Sequence, residues 1–511
     1  MLSAVARVRK RGGMSRALVV GGGFGGIASA LRLSAKGYDV QLIDRCPRLG
    51  GRAQAFERDG FRFDAGPTVI TAPFLFDELF EMHGRRRQDY VEFRPLDPWY
   101  RFQFEDGDVF DYGGEMADTE AEIARYSKAD VAGYRRLVAH SEKIFNVGFT
   151  ELSDQPFHSI FSMLSQIPAL VRLKCYRTVW QMVCAYLKNP KLRQAFSVQP
   201  LLVGGNPFDT TSIYGLIHFL ERRWGIHFAM GGTAALVDGY RRLMEELGIE
   251  IRLDTTVEKI LVQDNKACGV QLEDGQQIDS DLIVANVDPK YLYGHMLDAS
   301  QQTWAACKKT QHHALSMGLF VLFFGTDKVY PEIAHHTIWL GQRYQELLNE
   351  IFNGKALPED FSLYLHRPTA SDSSFAPEGC DSFYVLAPVP NLDADIDWKT
   401  QGPELRKRII QTLSEHMLPD LEHHLVTEFY MTPEDFATDY LSVGGAGFSV
   451  SPLFTQSAWF RFHNKAEGPD NLFLVGAGTH PGAGLPGVVS SAKVLDRLVP
   501  ASVSESIYSA A

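Results

Sequence analysis

The sequence predicts an α/β protein of more than one domain, and three observations carry that prediction. The chain has 511 residues, more than a single hydrophobic core usually holds. It opens with an apolar strand, a glycine turn and a helix of small and apolar residues, "RALVVGGGFGGIASALRLSAKGYDVQLIDR". Near its other end stands a second strand with a glycine-rich turn and a small-residue helix, "NLFLVGAGTHPGAGLPGVVSSAKV".

Composition narrows the class. With 45% hydrophobic and 22% charged residues and no low-complexity tract, the chain reads as folded throughout, except at its ends. A net charge of -12 excludes nucleic acid as a partner, since a phosphate backbone calls for a basic surface. The six cysteines (Cys46, Cys175, Cys184, Cys268, Cys307, Cys380) lack CxxC spacing, so reduced thiols are expected and neither disulfides nor a metal site. The pairs His312-His313 and His335-His336 carry no ligand spacing and are expected to be surface or packed histidines. Residues 1–13 read as a basic, disordered leader, with Met14 as an alternative start. No run of 18 or more uncharged apolar residues occurs, so any membrane contact is expected to be peripheral.

The opening unit is predicted as strand 17–20, a helix with apolar positions Phe24, Ile27, Ala28, Leu31 and Ala35, and strand 40–43 ending on Asp44. Gly21, Gly23 and Gly26 form GxGxxG in the turn. Gly21 permits the tight turn, Gly23 the approach of a pyrophosphate, and Gly26 the packing of helix on strand. Asp44 stands where a carboxylate accepts ribose hydroxyls. A Rossmann-like dinucleotide site is therefore expected.

Downstream, "CPRLGGRAQAF" places Gly50, Gly51 and Arg52 in a second glycine turn bearing a cation, followed by "GFRFDAGPTVI" (60–70) with Gly66. This extension resembles the flavoprotein superfamily of amine oxidases, Rab escort and inhibitor proteins, and carotene desaturases. The resemblance implies FAD rather than NAD, with Gly51, Arg52 and Gly66 among the residues that bind it. It implies that Val257, within 231–261, lends its backbone to the adenine, and that 281–289 runs back toward the flavin. It also answers why a second glycine run exists: strand 472–475, the turn at Gly476 and Gly478, and a helix starting at Gly487-Val488 would face the flavin ring with a positive helix end.

The blocks "FDAGPTVIT" (63–71), "LLVGGNPF" (201–208), "SSFAPEGC" (373–380), "YVLAPVPNL" (384–392), "TQSAWFRFHN" (455–464) and "LVGAGTHPGAGLPGVV" (474–489) are similar to those of bacterial phytoene desaturases. The resemblance spans about residues 15–499. It implies FAD-dependent desaturation of phytoene to zeta-carotene, neurosporene or lycopene, with oxygen or a membrane quinone as terminal acceptor and membrane lipids as partners. The location implied is cytoplasmic, peripheral on the inner membrane.

The fold expected is an FAD-binding domain (14–80, 230–290, 465–500), a discontinuous antiparallel-sheet substrate domain (81–115, 291–464) and a helical membrane-contacting subdomain (116–229). Within the last, 157–187 has no acid and places Arg172, Lys174 and Arg177 among apolar residues, as an interfacial helix pair broken near Pro168 would; a buried core helix is the alternative. The catalytic proton acceptor is not identified. His480, the titratable residue of "GTHPGAG", is the candidate, and a backbone hydrogen bond in a crowded turn is its other reading. An amine oxidase, a polyene isomerase or saturase, and a flavin-free Rab-binding protein are the rival functions.

Overall fold

The computed structural model describes residues 15–502, so the expected leader lies outside the described residues. Five parallel strands form the first sheet, in the order Leu472–Leu474, Leu282–Ala285, Arg16–Val20, Asp39–Ile43 and Glu250–Arg252. The inner strands are continuous apolar runs because both faces of the sheet are covered; all four residues of Leu282–Ala285 are buried. Val19 pairs with Val284 on one side and Leu42 on the other, and Ala285 pairs with Leu474. The helices Phe24–Ala35 and Leu485–Lys493 pack into one core through Ile27, Leu31, Val489 and Ala492. The two ends of the described chain thus complete a single layer.

A seven-stranded sheet forms the second body, in the order Leu425–Met431, Gly318–Thr326, Asp381–Val389, Leu363–His366, His336–Leu340, Tyr100–Phe104 and Val109–Tyr112. It is antiparallel except for one pairing: Thr337 to Leu340 runs parallel to Arg101 to Phe104. The expected antiparallel sheet thus holds one parallel pairing. The strand Tyr100–Phe104 enters from a distant stretch of chain rather than through a hairpin, so its direction is not tied to its neighbour's. The pleat separates two faces. Leu319, Val321 and Phe323 join one core, while Phe320, Leu322 and Phe324 pack against the helix Trp398–His416 through Trp398, Leu405 and Ile409.

Helices between residues 116 and 224 roof the first face of this sheet. The longest of them, Lys128–Phe145, buries Tyr134, Leu137, Val138 and Ile144. Helix Ile160–Arg172 runs continuously through Pro168, which corrects the expected break there. The proline removes one N–H from the ladder, leaving the carbonyl four residues back without its helical donor. The chain turns instead between Leu173 and Thr178, before helix Val179–Tyr186.

Candidate active site

A cavity of about 570 Å³ begins at the carboxyl ends of the parallel strands and continues between the seven-stranded sheet and the helical roof. Its first half is lined by Gly21, Gly23, Asp44, Gly51, Arg52 and Val257, together with Gly478 and Val488 from the C-terminal turn. Such crevices at a reversal of strand order are where parallel sheets bind nucleotides. Its second half is walled by Leu202, Leu216, Leu319, Val321, Ile338 and Leu386, among other apolar side chains.

The glycine residues are where close approach demands them. A Cβ on Gly26 would stand 1.9 Å from the Gly21 carbonyl oxygen, and one on Gly66 would stand 2.3 Å from that of Arg52. Gly21 itself has φ +96°, and its N–H donates to Ile43 O at 2.8 Å. Asp44 Oδ2 accepts the Gly22 N–H at 2.5 Å and Oδ1 accepts the Cys46 N–H at 2.7 Å. Burial pushes the Asp44 carboxyl above its ordinary range, against the pull of those two peptide bonds. The Thr255 N–H donates to the Asp44 carbonyl at 2.9 Å, which sets 255–257 beside Asp44 at this end of the cavity.

Among the described residues Arg52 is held by one side-chain bond, Nη2 to Ser442 Oγ at 2.8 Å, and its buried Nε has no hydrogen-bond partner. Burial lowers its pKa, while Asp288 and Tyr440 oppose that. Asp288 Oδ2, also buried and lining the cavity, is likewise without a hydrogen-bond partner among the described residues. Unsatisfied buried donors are costly, so a guanidinium with a free donor beside a cradle of glycine backbone suits an anionic ligand that completes it.

The sequence profile of the flavin containing amine oxidoreductase family matches residues 24–494. The chain is 47% identical to a lycopene-forming phytoene desaturase from Pseudescherichia vulneris over 487 residues, 95% of this chain and 99% of that one. The chain belongs to the phytoene desaturase family. It is 40% identical to a neurosporene-forming phytoene desaturase from Rhodobacter capsulatus, over 96% of this chain and 94% of the other. An oxidoreductase from Methanosarcina mazei shares the fold, with TM-score 0.64, 15% identity, and 94% and 100% of the two chains covered. This phytoene desaturase family member is an FAD-dependent oxidoreductase, and the glycine cradle with the incompletely bonded Arg52 fits that cofactor.

Within this family member, the second glycine run differs in detail from expectation. The helix begins at Leu485 with Gly484 as N-cap, two residues before the expected start, because Pro486 fits the first turn, where its missing N–H costs nothing. Val488 N–H is therefore used, donating to Gly484 O at 2.9 Å. Leu485 and Gly487 supply the first-turn N–H groups without a partner among the described residues. Gly478 is packed so closely on Pro289 that a Cβ would stand 2.3 Å from its Cδ.

His480 is buried, with its ring edge on Phe157 at 4.7 Å between centroids, and its Nε2 lies 3.0 Å from the Leu152 carbonyl oxygen. That carbonyl can only accept, so Nε2 carries the proton. Burial pushes the imidazole down to about 4. A neutral ring with that pKa is a poor proton acceptor near neutral pH.

Sequence reasoning did not single out several residues that build the site. Asn286 donates from Nδ2 to Gly21 O at 3.2 Å and stands against Gly476, joining the first and last glycine turns. Arg461, fully buried, donates to Thr479 O at 3.0 Å and Ala477 O at 2.6 Å, and Asn464 donates to His480 O at 3.0 Å. Both lie in the block "TQSAWFRFHN", where a buried-type aromatic run enclosing Arg and Asn was the available signal. Glu221, on helix Leu216–Trp224, lines the apolar half; Tyr100 OH donates to its Oε1 at 3.3 Å, and Oε2 has no hydrogen-bond partner among the described residues. Burial pushes its carboxyl up to about 8, so it is largely protonated at neutral pH.

Proposed function

We propose that this enzyme desaturates phytoene in successive rounds, to zeta-carotene, neurosporene or lycopene, on the cytoplasmic surface of a membrane. The observation that carries the reading is the continuity of the cavity, from the glycine cradle and Arg52 into walls of leucine, isoleucine and valine. Bound FAD would supply the acceptor for hydride leaving one substrate carbon; a proton is lost from the neighbouring carbon, whose C–H electron pair becomes the new double bond, and oxygen or a membrane quinone would be the terminal acceptor of the two electrons. The protein's share is binding, orientation and exclusion of water. A hydrocarbon offers nothing to hydrogen-bond, so shape and apolar contact position it. Neutral His480 and protonated Glu221 keep uncompensated charge away from it. Walls of leucine, isoleucine and valine suit a hydrocarbon better than an amine cation, which disfavours the amine oxidase reading.

Entry from a membrane is supported by helix Ile160–Arg172. Met163, Gln166 and Leu170 line the cavity, while Phe161, Leu164, Ile167 and Val171 of the same helix stand exposed, Phe161 at 78% and Val171 at 55%. Arg172, Lys174 and Arg177 follow directly, placed for lipid headgroups. No helix among the described residues is long and apolar enough to cross a membrane. In this reading, segments 14–80, 230–290 and 465–500 hold FAD, 81–115 and 291–464 form the sheet over which substrate lies, and 116–229 is the roof through which it enters.

Mixing the flavin-loaded protein with phytoene liposomes in the absence of oxygen tests the proposal. The flavin's visible absorbance should bleach on phytoene addition and persist with empty liposomes. Flavin that stays oxidised with phytoene present contradicts it.

A further inference from the structure

Four buried side chains meet behind the cavity wall, outside the site described above. His335 and His336, at the start of strand His336–Leu340, face His366 at the end of strand Leu363–His366, and Asp64 ends strand Phe61–Asp64. All are at most 5% exposed. One ligand atom from each of the three histidines lies within 4.8 Å of the others, and His366 Nε2 is 3.5 Å from Asp64 Oδ2. None of the four lines the cavity, whose wall here is Thr68, Tyr364 and Tyr384.

The hydrogen bonding is incomplete in a directed way. His335 Nδ1 is 2.8 Å from Ser371 Oγ, and His336 Nδ1 is 2.7 Å from Tyr364 OH. Asp64 Oδ1 accepts the Thr233 N–H at 3.0 Å. The opposite atoms, His335 Nε2, His336 Nε2 and Asp64 Oδ2, have no hydrogen-bond partner among the described residues, nor does either nitrogen of His366. In the tautomer that donates from Nδ1 to the two hydroxyls, the lone pairs of His335 Nε2, His336 Nε2, Asp64 Oδ2 and one His366 nitrogen are left with a single N–H, that of His366, to meet them. A single water has two protons to offer and leaves the set unsatisfied. A divalent cation takes up the four lone pairs, and the outer hydroxyl bonds on His335 and His336 are the arrangement that orients metal-ligating imidazoles.

We propose that Asp64, His335, His336 and His366 form a structural site for a borderline first-row divalent cation, zinc foremost. Three imidazoles and a carboxylate are the ligand number and type that tetrahedral zinc takes. An ion at the centre of a triangle with 4.8 Å edges stands about 2.8 Å from each corner, so closure to the ~2.1 Å of a Zn–N bond asks about 0.7 Å of each ring. The ion would tie strand Phe61–Asp64, whose continuation Ala65 to Thr68 lines the cavity, to the seven-stranded sheet. It takes no part in hydride transfer.

The test uses the full-length flavoprotein produced with excess zinc, dialysed and measured for metal and for flavin per chain, with X-ray absorption at the zinc edge. About one zinc per chain with nitrogen and oxygen neighbours and no sulfur is expected. His335→Asn and His366→Asn should each lower the metal content more than tenfold. Flavin-loaded wild type holding less than a tenth of an equivalent overturns the proposal, and so does a zinc spectrum showing sulfur ligands. Metal content unchanged in flavin-loaded His366→Asn also overturns it. If the variants fail to retain flavin, the ligand set seen by absorption on the wild type decides.

Discussion

His480 donates its Nε2 proton to the carbonyl of Leu152 at 3.0 Å, fastening the C-terminal glycine turn to the helical roof. The residue that sequence reasoning offered as a proton acceptor is thus tied into a join between two bodies. His480→Gln keeps a side-chain N–H in reach and should retain flavin and most of its turnover. His480→Ala loses the bond and the contact with Phe157, at a cost of about 1–3 kcal/mol in stability. Loss of turnover in His480→Gln with flavin and melting temperature unchanged would restore a catalytic role.

Glycine replacement separates close approach from simple turn formation. Gly26→Ala and Gly66→Ala should each lower bound flavin by more than about tenfold, since the new methyl group meets backbone that cannot move aside. Gly84→Ala, at a position with open space around its Cβ, is the control: its positive φ makes it a mild stability variant that keeps its flavin. Flavin-to-protein absorbance ratios give the answer.

The pH dependence of stability should carry the signature of Glu221. Its folded pKa, about 8, is raised by burial above the ordinary carboxyl value. The stability it contributes is complete below the unfolded pKa and is lost as pH rises toward 8, because the unfolded chain gives up the proton first. Glu221→Gln removes this dependence, so its melting temperature relative to wild type should climb between pH 5 and 8. His480 has the opposite sign: its folded pKa of about 4 lies below the unfolded value, so its stability is present above about 6.5 and lost as pH falls toward 4. A Glu221→Gln difference that stays flat across pH 5 to 8 would contradict the burial argument.

In the function proposed above, the outer face of helix Ile160–Arg172 is what meets the membrane. Phe161→Glu with Leu164→Glu should weaken sedimentation with anionic liposomes several-fold while leaving flavin content unchanged, because both side chains already face outward. Equal sedimentation of wild type and variant would count against entry through this face.

Much of the fold was legible because local patterns and the final structure agree at its nucleotide end. The strand, GxGxxG turn, helix and Asp44 are contiguous in sequence, so periodicity alone placed them. The second glycine run was legible as strand and turn, but its helix start was misplaced by two residues, since Pro486 reads as a breaker until it is seen in a first turn. Asn286, Arg461 and Glu221 were not legible in their roles: each acts on a partner far along the chain, and no local spacing encodes such a pairing. The same holds for His335, His336 and His366, whose meeting with Asp64 depends on strand register. Pro168 was read as a break because loss of one helical bond looks decisive in sequence, yet the surrounding helix tolerates it.

Product analysis tests the central claim most directly. Purified flavin-loaded protein is incubated with phytoene in liposomes under air or with a quinone, and the polyenes are resolved by chromatography and absorption. Accumulation of zeta-carotene, neurosporene or lycopene is the result predicted, and the last polyene formed marks where the series stops. Unchanged phytoene, with flavin bound and both acceptors supplied, would contradict the desaturase reading and favour an isomerase or saturase.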